Sequence, residues 1–200
     1  LDNATLEQIA DKVDAKIDSI RLQYVDDAFG EAQQAAEGIF ELIERFAEHP
    51  EAGVPLYGPL VNTVTRGARL KKFYLRSAAT GIGKTRSMIA DACYIGCNKI
   101  YDETLGWIGS GPAEPVLFIA TEQDLEEIQT MMLAFLSNVN EEQIIYSEYV
   151  EGEKERVLQA AKLLKESPIY VEELPDFSLQ DIENKIKKNI RDHGVKYIFH

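Results

Sequence analysis

Between residues 78 and 85 the chain reads Ala78-Ala79-Thr80-Gly81-Ile82-Gly83-Lys84-Thr85. This is the pattern of a loop that cradles phosphate, with alanine where a first glycine often stands. Glycine at 81 and 83 lets the backbone adopt unusual angles and come close to an anion. Successive N–H groups of such a loop, and of a helix starting just behind it, point at one phosphate. Lys84 would set a compact positive charge on the β- and γ-phosphates, and the Thr85 hydroxyl would ligate Mg²⁺. With Arg86 alongside, residues 78–86 form the expected binding set for ATP and Mg²⁺.

A phosphate loop does not name a reaction, because kinases, GTPases and motors share it. Glu122 is the next group able to do chemistry. It stands just past the apolar run Val116–Ala120, at the rim where ligands bind an open parallel sheet. A carboxylate there could orient, or take a proton from, a water attacking the γ-phosphate. A structural role competes: Thr121 with Asp124 reads as a capping box, which would make Glu122 a favourable first-turn acid. Both roles can hold together. A second metal-binding acid should follow another strand. Glu172 and Glu173 follow Ile169–Val171, whereas the run 195–199 meets His200 before any acid. His49, His193 and His200 lack ligand spacing, and Cys93 and Cys97, one helical turn apart, read as packing residues. Trp107 reads as a surface or interface anchor that nothing further specifies.

These residues need elements to position them. Thr5 with Gln8 forms a capping box, and Leu6, Ala10, Val13, Ile17, Ile20 and Tyr24 repeat at helical spacing, predicting a helix over 5–25. A second helix is expected from Phe29 to Glu48, with Ala32, Ala36, Ile39, Ile43 and Phe46 on one face. Pro50, Gly53, Pro55, Gly58 and Pro59 then break the pattern. Beyond the break, short apolar strands alternate with amphipathic helices. Strands are expected at 73–75, 116–120, 169–171 and 195–199. Helices are expected from Lys84 to Gly96, after Ala120 through Leu136, from Gly152 to Lys165, and from a Ser178–Asp181 cap to Gly194. Such alternation predicts an α/β fold, a parallel sheet covered by helices on both faces. Residues 1–50 are read as a helical linker or docking segment and 51–200 as the catalytic domain.

With 200 residues, 45% of them hydrophobic and 28% charged, the chain is an ordinary soluble globular one. No apolar run reaches the ~18 residues needed to span a bilayer. No signal peptide opens it, and Leu1 marks it as processed or a fragment. Two cysteines make no disulfide framework, which points to reduced thiols in the cytoplasm. The net charge of −13 is uneven. Residues 1–51 hold 13 acids against four bases, whereas 52–90 hold seven bases and no acid. That window surrounds the phosphate loop with a positive field suited to a polyanion.

The stretch from Phe73 to Thr85 resembles the first strand and Walker A loop of DnaB-type replicative helicases. Val116 to Leu136 resembles that family's next strand and helix, with Glu122 where the family's water-activating glutamate stands. Ile169 to Pro175 is similar to the third strand with its acidic pair. Asp181 to His200 is similar to the helix and strand leading to Walker B. The resemblance implies a three-layer RecA-like P-loop NTPase fold, a truncated N-terminal part of the ATPase domain after a helical segment. It implies that Glu172 and Glu173 are not the Walker B acids. Walker B, the arginine finger and the DNA-contacting loops would lie beyond His200, so the piece alone is expected to bind nucleotide weakly and unwind little. The implied activity of the intact protein is ATP-driven movement of a hexameric ring along single-stranded DNA, with a primase or loader as partner. The alternatives are a RecA-like recombination, loading or regulatory ATPase, a P-loop phosphotransferase, and an assembly module. Only Arg156 and Arg191 follow Arg86, which counts against a kinase with an arginine-rich lid.

Overall fold

The five apolar residues Val116–Ala120 are buried along their whole length in the computed structural model, and the other elements are arranged around them. The structure describes residues 12–13, 16–17, 34–48 and 52–200. In chain order the elements are α1 (Ile39–Glu48), α2 (Pro59–Thr65), α3 (Lys84–Gly96), β1 (Lys99–Asp102), β2 (Gly106–Gly109), β3 (Val116–Ala120), α4 (Leu125–Ser137), α5 (Glu141–Tyr146), α6 (Glu153–Glu166), β4 (Ile169–Glu173), α7 (Leu179–His193) and β5 (Tyr197–Phe199). The chain divides into two compact units, Leu1–Pro50 and Glu51–His200.

In the second unit the sheet runs β4-β3-β5, all parallel, with Val116 opposite Ile169 on one side and Tyr197 on the other. Alternate β3 side chains serve two cores. Val116, Phe118 and Ala120 pack with Ile89 and Cys93 of α3, Ile128, Met132 and Leu136 of α4, and Ala160 of α6. Leu117 and Ile119 pack with Val195 and with Ile182 and Ile186 of α7. A central parallel strand covered on both faces must be apolar at every position, which is why this segment does not alternate with polar residues. The result is the expected three-layer α/β arrangement. Cys93 and Cys97 are free, buried core residues. Burial pushes the Cys97 thiol up to about 11 and lifts Cys93 as well.

The structure corrects four readings. Phe73–Leu75 forms no strand ladder, and Phe73 and Leu75 are 89% and 83% exposed. An apolar triplet becomes a strand only where a neighbour completes its hydrogen bonds, and here none does. Thr121 is not a helix cap. Asp124 caps α4 by accepting from the Glu127 amide at 2.8 Å, so Glu122 lies outside the helix. The stretch around Trp107 is an antiparallel hairpin of β1 and β2, with Trp107 and Tyr101 edge to face at 5.6 Å. Trp107 is a packing residue, partly buried against the main core. The short helices α2 and α5 have no counterpart in the periodicity. The helix expected over 5–25 lies mostly outside the described residues, as does the start of the one expected from Phe29. Within the described part that second helix begins at Ile39 after a turn. The capping box of Ser178 and Asp181 on α7 is present as read.

Candidate functional site

The loop 78–83 leads into α3 through Gly83, which sits at the helix N-cap in the left-handed region (φ 87°, ψ 32°). Gly81 also has a positive φ of 83°, a conformation that costs a side chain-bearing residue energy and glycine none. A Cβ at either glycine would meet nothing within 4 Å, so the space before the helix is open. No side chain caps α3, nor α2 or α6, which also start behind a glycine, whereas Asp124, Asn140 and Ser178 cap α4, α5 and α7. The first amides of α3 therefore keep their donor capacity for an anion, reinforced by the helix dipole. Lys84 is the first residue of α3, and its Nζ donates to the Ala78 carbonyl at 3.0 Å, closing the loop from one end to the other. Thr85 is half-buried beside it, and Ala78, Ala79, Thr80 and Ile82 are exposed.

Helix direction decides whether Glu122 shares this place. At the far end of α3, a Cβ on Gly96 would touch Val116 and Ile169, the first residues of β3 and β4. The Glu114 amide, just before β3, donates to the Ile95 carbonyl at 3.0 Å. The C-terminus of α3 thus lies at the N-terminal edge of the sheet. Thirteen helical residues span about 20 Å and five strand residues about 17 Å. The N-terminus of α3, with the loop, is therefore carried back to the C-terminal edge. Glu122 stands two residues past the end of β3 on that same edge, exposed.

The acidic pair on β4 is committed elsewhere. Glu172 accepts from Lys185 Nζ at 2.7 Å and from Asn189 Nδ2 at 3.0 Å, both on α7. Partial burial alone would raise its carboxyl, but these two donors outweigh it and hold the group below its ordinary value. Glu173 accepts from the Leu125 amide at 2.7 Å, at the start of α4. Both tie helices to the sheet. Arg86 forms a two-point ion pair with Glu141 at the start of α5, one contact at 2.8 Å. This pair crosses an open groove lined by Ile89, Met131, Phe135 and Val139. His193 stacks on Tyr170 at 4.0 Å, and His200 meets Phe177 edge to face. Among the described residues no cluster of His, Cys, Asp or Glu is placed to hold a metal. No described helix is long and apolar enough to cross a membrane.

One pair of charges beside the loop escaped the reading of the sequence. Arg76 Nη2 contacts Asp91 Oδ2 at 2.6 Å and Nη1 donates to Ser87 Oγ, while the Tyr57 amide donates to Asp91 Oδ1 at 2.9 Å. Asp91 is 2% exposed. Burial lifts its carboxyl above the ordinary value, and Arg76 and the Tyr57 amide offset this only in part. A signal was available: Asp91 is the first acid after the acid-free window and falls on a helix position flanked by Ala90 and Ala92.

Comparison with known proteins places this geometry. The family described as DnaB-like helicase C terminal domain matches residues 53–199. The chain is 40% identical over 199 residues to the SPbeta prophage-derived uncharacterized protein YorI of Bacillus subtilis (strain 168). The match takes in 99% of this chain and 40% of that relative's length. A solved ATPase domain superposes with a TM-score of 0.63 at 16% identity, over 84% of this chain and 56% of that one. A DnaB-like replicative helicase, studied with its interactions with primase, superposes with a TM-score of 0.65 at 17% identity, over 96% and 45%. These superpositions carry the fold, a RecA-like one, and the family match covers most of the chain. The chain belongs to the DnaB-like helicase C-terminal domain family.

Proposed function

We propose that this chain carries the nucleotide-binding part of a helicase motor, and that the whole protein couples ATP hydrolysis to movement along single-stranded DNA. The observation that carries the reading is the uncapped N-terminus of α3 behind a glycine loop, with Lys84 across it and Glu122 on the same sheet edge. Residues 78–85 fit a triphosphate: backbone N–H donors, two glycines opening onto free space, and one ammonium group. Lys84 would leave the Ala78 carbonyl for the β- and γ-phosphates, and Thr85 would hold Mg²⁺ through its hydroxyl. When bound, Mg²⁺ neutralises charge developing on the phosphate oxygens. Glu122 would orient the attacking water and accept its proton. Arg86 belongs to the same first turn and would lie at the nucleotide's flank only on leaving or sharing its pairing with Glu141. In the whole protein the subunits would assemble as a hexameric ring, with a primase or loader as partner.

The test is ATP hydrolysis by a chain extended to the length of its relative, with and without single-stranded DNA. Strong stimulation by DNA is expected. Glu122→Gln should bind Mg-ATP and lose turnover, and Lys84→Ala should weaken Mg-ATP binding by about tenfold or more, since one charged contact of this kind carries about 1.5–3 kcal/mol. Hydrolysis indifferent to DNA, or Lys84→Ala binding like the parent, would overturn the reading.

A further inference from the structure

A loop that must hold an anion needs both ends fixed. Its downstream end is the first turn of α3, but its upstream limb, Phe73 to Ser77, has no strand neighbour. Arg76 supplies another anchor. Its guanidinium forks across Ser87 and Asp91, which stand four residues apart on one face of α3. The second oxygen of Asp91 holds the Tyr57 amide, so one buried carboxylate joins the loop's entry, the helix and the segment before α2. Stability alone does not explain such a pair, since apolar residues of similar size often serve as well or better. What a planar, two-point fork adds is direction and distance.

We propose that Arg76 and Asp91 are positioning residues of the phosphate loop, their ion pair clamping the entry limb to α3 so that the loop's backbone donors are shaped for a nucleoside triphosphate before it arrives. The inference rests on the nucleotide reading above. Pre-shaping matters because an ordered loop does not lose that freedom again on binding.

The test compares the full-length protein with the double variant Arg76→Met/Asp91→Leu and with Arg76→Lys. The readouts are hydrogen exchange over residues 76–88 without nucleotide, Mg-ATP affinity by calorimetry, and thermal melting. The double variant should melt near the parent, exchange faster over 76–88 but not over 116–120, and bind Mg-ATP about tenfold more weakly or worse, as misplaced groups do. Arg76→Lys should fall between, because an ammonium can reach Asp91 without also forking to Ser87. Parent-like exchange and affinity in a folded double variant would overturn the proposal. If the double variant fails to fold, parent-like behaviour of Arg76→Lys in both readouts overturns it equally. Faster loop exchange in a protein whose parent shows no Mg-ATP binding would instead sink the nucleotide reading and leave the clamp standing.

Discussion

Lys84, Glu122 and Glu172 are three charged side chains whose environments separate their tasks. Lys84 rests on a loop carbonyl and Glu122 is exposed at the sheet edge, so both can meet a ligand. Glu172 is consumed by Lys185 and Asn189. That difference yields a prediction about acid stability. The folded-state pKa of Glu172 lies below its ordinary 4.5. Its contribution is therefore present above that value and is lost as pH falls through the folded-state value. The parent should melt above Glu172→Gln near neutral pH, and the gap should close as pH falls below the ordinary 4.5 and through the folded-state value. A gap that stays constant in melting curves over this range would show that Glu172 gains nothing from its charge. The seven bases of the acid-free window are there, but Arg76 and Arg86 are paired with Asp91 and Glu141. Linear distance hid both partners.

Among the elements, α3 bears most on the site, because its tilt and depth set where the phosphate loop ends up. Its final residue, Gly96, is buried against Ile169 at the start of β4. A Cβ there would lie 2.7 Å from Ile169 Cδ1 and closer still to Cγ1. Alanine is the better helix former by about 1 kcal/mol, yet Gly96→Ala should destabilise the protein by about 1–3 kcal/mol through overpacking. Adding Ile169→Ala should recover part of that loss by making room. Chemical denaturation of the two variants decides the matter: a stabilised single variant would mean that α3 can lift off the sheet at no cost. The helix itself was legible in the sequence from Lys84 to Gly96, and so was β3. The strand expected at 73–75 was not a strand, since an apolar run records a preference for burial and says nothing about whether a partner is at hand. The hairpin of β1 and β2 went unread for the opposite reason. Its four-residue strands mix Lys99, Asp102 and glycines with Tyr101 and Trp107, and only cross-strand pairing makes them cohere.

For the whole molecule, every buried residue among those described lies between Leu56 and Val195. The buried core among the described residues belongs to the unit Glu51–His200. A chain lacking residues 1–50 should unfold in one cooperative transition, with its midpoint within a few degrees of the parent, because a domain with its own core folds alone. A broad, non-cooperative melt by circular dichroism would show that the first segment completes the fold. Residues 1–50 carry −8 of the net charge of −13, which leaves the truncated chain at −5, so the positive window around the loop stays a local feature of an acidic molecule.

The sequence by itself determined the α/β class, the central strand, the glycine loop leading into α3 at Lys84 and Thr85, and the position of Glu122 after β3. These follow from local physics: periodicity, glycine at positive φ, an apolar run that a buried parallel strand requires. Tertiary structure alone decided that α3 runs against the strands, which carries the loop to the edge where Glu122 stands. It also decided that Asp124 rather than Thr121 caps α4, and that Arg76 finds Asp91 15 residues away. Each of those outcomes depends on which surfaces meet, and no window of sequence contains both surfaces.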